Sequence, residues 1–226
     1  MPNDGYIYEF PDEVVLGALK KLLHERELRM DKDVRPYKQK GNTCAIVCMM
    51  MLLEYYKIIP KADWKKERMY YRGFRSKYME GTPFAAMAWF MTNSGLEVKM
   101  LHSEENLFKN DGGYIPADVF NSAVREYQDY IDKALETGAE IENGVDFNSE
   151  DIKRQLENDG FVILSGMVNN YLHAILVTGY DKTGFIICDP LYKQKQHRTF
   201  EEIDNFMETP IGKWCLYVDK QKEKTE

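Results

Sequence analysis

The sequence lacks any long hydrophobic run. Its longest apolar stretch ends at Glu54 and is far shorter than the roughly 20 residues that span a bilayer. Residues 1–10 contain Asp4, Glu9 and two tyrosines, a composition typical of neither a signal peptide nor a transit peptide. We therefore expect a cytoplasmic protein with no membrane partner.

An excess of basic residues is also missing. The 30 Lys and Arg residues are outnumbered by 37 Asp and Glu residues, which leaves a net charge of −7. Proteins that bind nucleic acids through the phosphate backbone usually carry charge of the opposite sign. We therefore expect no nucleic-acid partner, and a salt-sensitive anchor to nucleic acid is the weakest of the functions considered.

Cysteine and histidine are scarce, with four residues of each. Cys44 and Cys48 are four residues apart, but no second Cys/His pair has a matching short spacing, so a zinc site is not expected. Without a secretory context the thiols should be reduced rather than paired in disulfides. We expect no metal and no cofactor, and each thiol is then either a nucleophile or part of the core.

The apolar residues that are present are enough for a folded core, since they make up 44% of the chain. Periodicity and turn residues predict a set of helices followed mainly by strands, an order typical of an α+β domain. The predicted helices cover about 14–30, 43–56, 83–92, 117–135 and 149–159, and the predicted strands cover 96–101, 161–167, 173–180, 185–188 and 214–218.

The domain prediction is a single domain over residues 1–219. It comprises a helical N-terminal extension at 1–34 and an acidic helical insertion at 103–148, and a disordered tail follows at 220–226. Two segments stand out by charge: residues 61–77 hold seven Lys and Arg, and residues 103–151 hold thirteen Asp and Glu. Each is either a solvated surface or a docking site for a partner of opposite charge.

Cys44 is the candidate nucleophile. It lies at the predicted start of a helix that is apolar on nearly every side and hence buried, where the helix dipole and unpaired N–H groups stabilise a thiolate. Gln39, five residues upstream, could hold a developing oxyanion together with the Cys44 N–H. Cys48, one turn inside the helix, is predicted to be a core residue, and a core role is also the alternative for Cys44.

His173 and Asp189 are the candidate partners of this thiol. His173 begins the first strand of a predicted β-hairpin, and Asp189 follows the last residue of its second strand, so both lie at the open end of the hairpin. A register that pairs Ile175 with Asp189 would put both polar side chains on the same face and at the same end of the ribbon. The alternatives are a hydrogen-bonded sheet histidine and an aspartate that forms a turn before Pro190.

Taken together these residues resemble a known family. The run from Gln39 to Cys44, the apolar helix ending at Tyr56, and His173 followed by the segment Asp189-Pro-Leu-Tyr192 are similar to the C39-like branch of the papain-fold cysteine peptidases. Related papain-fold enzymes include amide synthases of natural-product biosynthesis, such as that of closthioamide. The resemblance covers about residues 35–60 and 150–219. One departure is Ala45, where the family usually has glycine.

The resemblance implies a papain-like fold, with a central buried helix carrying Cys44 against an antiparallel sheet carrying His173 and Asp189. It also implies a role for each residue: Cys44 as nucleophile, His173 as base and then acid, Asp189 as orienter of the imidazole, and Gln39 as an oxyanion donor. The physical chemistry agrees, because thiolate and imidazolium stabilise each other and a carboxylate selects the ring nitrogen that faces the sulfur.

The sequence leaves the acyl acceptor open. An S-acyl enzyme can pass its acyl group to an amine, as an amide synthase supplied by an acyl-carrier protein would, or to water, as a peptidase acting on a leader peptide or small amide would. The basic segment could dock an acidic carrier and the acidic segment could attract a cationic amine. These patches favour the amide synthase. A non-catalytic protein that binds a peptide or a carrier is the third reading.

Overall fold

An eight-stranded sheet organises the computed structural model, which describes residues 16–17, 30–106 and 115–220. Seven strands follow the order β3-β2-β8-β4-β5-β6-β7, and β1 pairs with β5 outside this path. All neighbours are antiparallel except the parallel pair β2 and β3. The strands are β1 (Met30–Asp31), β2 (Leu96–His102), β3 (Glu140–Asn143), β4 (Phe161–Val168), β5 (Tyr171–Tyr180), β6 (Gly184–Cys188), β7 (Gln196–Thr199) and β8 (Trp214–Lys220).

Helices cover both faces of the sheet. One apolar cluster joins the sheet to the first four helices, and a second joins its other face to the last two. In the described ranges the helices are α1 (Cys44–Tyr55), α2 (Trp64–Phe74), α3 (Phe84–Asn93), α4 (Ala117–Glu136), α5 (Ser149–Glu157) and α6 (Phe200–Met207). None of these helices is both long and apolar enough to cross a membrane.

Burial on both faces explains why the central strands read as continuous apolar runs. In β4, Phe161 and Ile163 belong to the first cluster, whereas Val162 and Leu164 belong to the second. Successive side chains of a strand point to opposite faces, so a strand covered on both sides needs apolar residues at every position. The β-branched sequences of β4, β5 and β6 meet that requirement.

Helix α1 is buried on all sides over most of its length. Every residue from Ala45 to Leu53 is buried, and the helix packs between the sheet and the helices α2 and α3. At its far end the Glu54 carboxylate accepts two hydrogen bonds of 2.6 Å from Arg35 and a third from the Ala62 N–H. These contacts tie the segment before α1 and the segment after it to the C-terminal end of the helix.

The structure confirms the mixed helix-and-sheet fold with a large, mostly antiparallel sheet, and it corrects several details. The predicted helix 14–30 lies mostly outside the described residues, although Leu16 and Gly17 are helical and Met30 is already in a strand. Strand β5 begins at Tyr171, two residues before His173. The strands β3 and β7 and the helices α2 and α6 were not predicted, because they carry many polar or charged residues.

The papain-like arrangement and the domain boundaries stay predictions. Within the proposed acidic insertion the structure describes 103–106 and 115–148, which contain α4 and β3. The basic segment 61–77 contains the whole of α2.

Candidate active site

Cys44 is the first residue of α1. The preceding residue, Thr43, is in the N-cap position, yet its hydroxyl makes no capping bond to the helix. The first N–H groups of a helix have no partner within the helix. In α1 the Thr43 side chain does not cap them, so they are close to Cys44 and available to stabilise a negative charge there. The position therefore favours a negative charge on the sulfur or on an atom bound to it.

His173 and Asp189 meet at one end of the β5–β6 ribbon. Leu176 pairs with Cys188, so the next residues outward, Ile175 and Asp189, stand opposite each other as the sequence predicts. The Nε2 atom of His173 lies 2.8 Å from Oδ1 of Asp189, and both residues are buried, with 6% and 5% of their surface exposed. The same carboxylate oxygen accepts the Leu191 N–H at 2.9 Å, which fixes its orientation.

The Cys44 thiol interacts electrostatically with the His173 imidazole. Because Nε2 of the imidazole is engaged by Asp189, Nδ1 is the nitrogen left for the thiol. Burial works against ionisation of the thiol, but the hydrogen bond and the charge of His173, with backbone contacts to Ala174 and Ala45, lower the pKa of Cys44 below its ordinary value.

The pKa of the His173 imidazole is shifted in the opposite direction, upward. Burial alone would lower the pKa of His173, but its hydrogen bonds to Asp189 and Cys44 raise that pKa to about 9. With the thiol pKa lowered and the imidazole pKa raised, both shifts favour a thiolate beside an imidazolium. Covalent catalysis by cysteine requires a nucleophile and a proton donor of this kind.

Gln39 is placed near these residues through its backbone. Its N–H donates to the carbonyl of Pro190, the neighbour of Asp189, at 2.8 Å. Its side-chain Nε2 donates to the Gly41 carbonyl at 2.8 Å, and its Oε1 is buried without a hydrogen-bond partner among the described residues. The structure thus ties Gln39 to the loop that precedes Cys44, and its role as an oxyanion donor stays a prediction.

Glu67 anchors that loop, and its role was missed in the sequence. It lies on α2, has none of its surface exposed, and accepts three hydrogen bonds from the segment before Cys44. Its donors are the Tyr37 hydroxyl at 3.0 Å, the Lys40 N–H at 2.9 Å and the Thr43 hydroxyl at 2.6 Å. Burial and the contact with Glu67 raise the pKa of Tyr37 to about 12, which keeps this phenol a donor at neutral pH.

The contact with Thr43 affects the helix start directly. A threonine at the N-cap usually accepts a hydrogen bond from the first turn of its helix. Here the hydroxyl donates to Glu67 instead, so it does not occupy the N–H groups next to Cys44. Glu67 is therefore a positioning residue for the nucleophile.

The imidazole also rests against an aromatic ring. Phe206 of α6 packs edge-on against His173, with 6.5 Å between ring centroids. Gly166, the residue paired with His173 across β4 and β5, leaves the room that this ring occupies, since a Cβ there would collide with Phe206. The side of the imidazole ring is thus confined by packing and its Nε2 by a hydrogen bond.

A cleft of about 240 Å³ lies beside the thiol and the imidazole. Cys44 and His173 are among its lining residues, and its other walls come from the loop 76–83, the helix α4 and the strand β8. Neither Gln39 nor Asp189 lines it. The acidic segment, expected only to attract charge, therefore forms one wall of the site.

The other thiols are core residues. Cys48, Cys188 and Cys215 are fully buried, and burial raises the pKa of each. Within the described ranges no group of three His, Cys, Asp or Glu side chains is arranged to hold a metal ion. The contrast of Cys48 with Cys44, one turn apart on the same helix, agrees with the distinction made from position alone.

One signal in the sequence could have pointed to Glu67. Glu67 is one of two acids among seven basic residues, and it shares a helical face with Tyr70 and Phe74, at steps of three and four. An acid on the apolar face of a helix is a candidate for a buried hydrogen-bonded role. Trp214 opens the last predicted strand, but nothing local indicates that it faces Cys44.

The reactivity of Cys44 should depend on His173. In His173→Ala the imidazolium is lost while burial remains, so the pKa of the thiol should rise, and the pH midpoint of its alkylation by iodoacetamide should move upward. Asp189→Asn should move the midpoint in the same direction by less, because the His173 pKa then falls from about 9. Alkylation followed by mass spectrometry over pH 4–10 measures this, and identical midpoints in wild type and His173→Ala would refute the ion pair.

Removing Glu67 should lower both stability and thiol reactivity. Glu67→Ala leaves one buried and two part-buried donors without an acceptor and should reduce the free energy of unfolding by about 2–4 kcal/mol. At pH 7 its alkylation of Cys44 should also be slower, because the loop before the thiol is released. Glu67→Gln retains an acceptor for Lys40 and Thr43 and should preserve most of both properties.

Asp63→Ala is the matched control for this prediction. Asp63 caps the same helix by accepting the Lys66 N–H at 3.0 Å and touches nothing in the loop before Cys44. It should weaken the start of α2 without changing Cys44 alkylation. Equal alkylation rates in folded Glu67→Ala and Asp63→Ala would show that Glu67 has no effect on the thiol.

Comparison with known proteins identifies the family of this chain. The model of the Peptidase_C39 like family matches residues 31–215, and no curated protein matches the chain. A crystal structure described as a C39-like peptidase from Bacillus anthracis is similar over 86% of this chain and 99% of that one, with 13% identity and a TM-score of 0.42, a likeness too low to carry an argument. Because the family model covers most of the chain, the protein belongs to the Peptidase_C39 like family, and its function is of the cysteine-peptidase type.

Proposed function

We propose that this protein is an acyl-transfer enzyme that forms an S-acyl intermediate on Cys44 and passes the acyl group to an amine. The observation that carries the proposal is the grouping of three residues: Cys44 interacts with His173, whose imidazole is hydrogen-bonded to Asp189, and the thiol pKa is lowered while the imidazole pKa is raised. Family membership supports chemistry at a cysteine, and the finer choice of donor and acceptor rests on the surroundings of the site.

In the first step the Cys44 thiolate attacks the carbonyl carbon of a thioester donor. A carbon–sulfur bond forms to Cys44, the bond to the donor sulfur breaks, and the departing thiolate takes the proton held by His173. The products are an S-acyl enzyme, a neutral imidazole and a free thiol. Asp189 holds the imidazole so that Nδ1 stays directed at the reacting atoms throughout.

In the second step an amine nitrogen attacks the S-acyl carbon. Its proton moves to the neutral imidazole, the carbon–nitrogen bond forms, and the bond to Cys44 breaks. The thiolate–imidazolium pair is restored, and the net reaction converts a thioester and an amine into an amide and a thiol. No oxidant or other reactant is needed.

The oxyanion formed in both steps needs hydrogen-bond donors. The uncapped N–H of Cys44 at the start of α1 is one, and we assign the second to the side-chain amide of Gln39. That amide has two hydrogens, of which the Gly41 carbonyl accepts one. The loop contacts made by Glu67 support this placement by holding residues 37–43 in one conformation.

Charges at the cleft favour an amine as acceptor. The carboxylates of Glu80 and Glu126 line it together with Cys44 and His173, so a cationic amine is attracted towards the site. The second candidate is hydrolysis of a leader peptide or a small amide, and family membership favours it. A non-catalytic binding protein is disfavoured, because it has no need for a thiol, an imidazole and a carboxylate joined in one chain.

An acidic acyl-carrier protein is the proposed source of the donor. Helix α2 and its flanks expose a row of basic residues at successive helical turns, while Glu67, Tyr70 and Phe74 face inward. The exposed row comprises Lys61, Lys65, Arg68, Arg72 and Arg75. It lies on the helix that anchors the loop before Cys44, so a carrier bound there could present its thioester to the thiol.

Incubation with simple acyl thioesters should acylate Cys44. Intact mass should show one adduct on wild type and on Cys48→Ala, and none on Cys44→Ala, because Cys48 is buried with a raised pKa. Addition of an alkyl amine should discharge the adduct at least about tenfold faster than water does. The amide product is then identified by mass.

Each other outcome has a definite reading. Discharge at the same rate with and without amine would replace amide synthesis with hydrolysis. An adduct on Cys44→Ala would refute the nucleophile assignment, and the absence of any adduct on wild type would refute the thioester donor.

Charge reversal on α2 should affect only carrier-bound donors. Lys65→Glu with Arg68→Glu should raise KM for a hexanoyl-carrier protein by about tenfold and leave the hexanoyl thioester of N-acetylcysteamine unaffected. The control is Lys182→Glu with Arg154→Glu, two exposed charges outside α2. Equal losses with both donors, or equal losses in the control, would reject docking through α2.

A further inference from the structure

The cleft beside Cys44 has a wall of aromatic and apolar side chains on α4. Phe120, Ala123 and Tyr127 stand at intervals of three and four residues and therefore share one face of the helix. That face lines the cleft, although the helix is otherwise rich in acidic residues. The opposite side is lined by Leu172 and Ala174, the two neighbours of His173.

The inner end of the cleft includes a rigid aromatic group. The indole N–H of Trp214 donates to the Ile211 carbonyl at 3.1 Å, and its ring lies 3.9 Å from His102 and 5.8 Å from Tyr127, centroid to centroid. The polar atom of the indole is thus satisfied within the protein. A ligand in the cleft would therefore contact the apolar surface of the indole ring.

The mouth of the cleft is apolar and open. Met79, Leu172 and Ile211 line it and have between 41% and 50% of their surface exposed. Large apolar side chains grouped around one opening, rather than scattered singly, are typical of a binding site. A ligand that covers them removes apolar surface from water and is stabilised accordingly.

The charged groups of the cleft limit what can enter. Apart from His173, its charged lining residues in the described ranges are Glu80 and Glu126. The Glu126 carboxylate is held in place by the Ser76 hydroxyl at 2.5 Å and the Lys77 N–H at 3.1 Å. An anionic acyl group would meet two carboxylates and no lysine or arginine.

The volume of the cleft limits the size of the ligand that it can hold. A cavity of about 150 Å³ accommodates benzene, so about 240 Å³ holds one aromatic ring with a short linker or a chain of comparable bulk. We propose that this cleft binds the acyl group of the donor and selects a small, uncharged, apolar one, either aryl or medium-chain alkyl. The inference rests on the proposed function in assigning the ligand to the donor, but occupancy of the cleft can be tested without acyl transfer.

The first experiment compares two alkylating agents that react with Cys44 by forming a carbon–sulfur bond and releasing iodide. The rate of N-hexyl iodoacetamide, divided by its rate with free glutathione, should exceed the same ratio for iodoacetamide by at least about tenfold, because the hexyl group is buried in the cleft. Ala123→Phe, which fills the cleft, should abolish the difference. Asn121→Phe, at an exposed position of the same helix, should retain it.

A second variant covers the case in which Ala123→Phe fails to fold. Phe120→Ala enlarges the cleft at a half-buried position, and it should shift the preferred chain from hexyl towards dodecyl. Equal normalised rates for the two reagents on wild type would overturn the proposed site, whatever the outcome of acyl transfer. A preference that persists in folded Ala123→Phe would do the same.

The final experiment assigns the ligand. Thioesters of acetyl, hexanoyl, benzoyl and succinyl groups are compared by intact mass, and hexanoyl and benzoyl should acylate Cys44 at least about tenfold faster than the other two. If N-hexyl iodoacetamide is preferred but no thioester acylates Cys44, the cleft is confirmed as an apolar binding site and the proposed function is refuted. Acylation at equal rates by all four would uphold acyl transfer and refute the selectivity.

Discussion

The packing of α1 against β5 is the contact on which the rest of the site depends. The helix is buried from Ala45 to Leu53, and the sulfur of Cys48 lies 3.5 Å from the Ala174 carbonyl on the strand. One turn earlier on the helix and one residue earlier on the strand come Cys44 and His173. Since both elements are held by a close-packed core, the thiol and the imidazole meet without either side chain being on a flexible loop.

Hydrogen bonds around this contact restrict the remaining freedom. Asp189 engages one nitrogen of His173, and Glu67 fixes the segment that leads into Cys44. Both carboxylates are buried, and each accepts more than one hydrogen bond from protein groups. Buried polar networks of this kind are stable only when their members are satisfied, so they specify a single local arrangement. The uncapped start of α1 is one product of that arrangement.

The same fold separates two kinds of surface. Helix α2 turns a carboxylate and aromatic rings inward and a row of basic side chains outward, while α4 lines the cleft with an aromatic face and with the carboxylate of Glu126. A largely apolar cleft next to a thiol of lowered pKa is consistent with the proposed acyl group, whose chain would be buried there. The basic segment 61–77 and the acidic segment 103–151 therefore each have an inward face: that of α2 holds the loop before Cys44, and that of α4 lines the cleft.

Much of this could be predicted from local sequence. The all-apolar run after Cys44 predicts a buried helix, the β-branched and aromatic runs within 161–188 predict strands, and the even spacing of Ile175 from His173 places His173 and Asp189 on one face once the hairpin pairs. Periodicity and turn chemistry determine these features, because they act over a few residues. They were sufficient to single out Cys44, His173 and Asp189, which the structure brings together, while the catalytic roles of these residues stay a prediction.

Only the tertiary structure decided the features that join distant segments. Glu67 reaches the loop before Cys44 across 24 residues, and Trp214 and α4 face the thiol from positions more than 70 residues away. No local pattern shows which neighbour a buried side chain will have, since that is set by how the helices pack on the sheet. The sequence by itself determined the reactive groups, and the packing decided the loop that holds them and the cleft beside them.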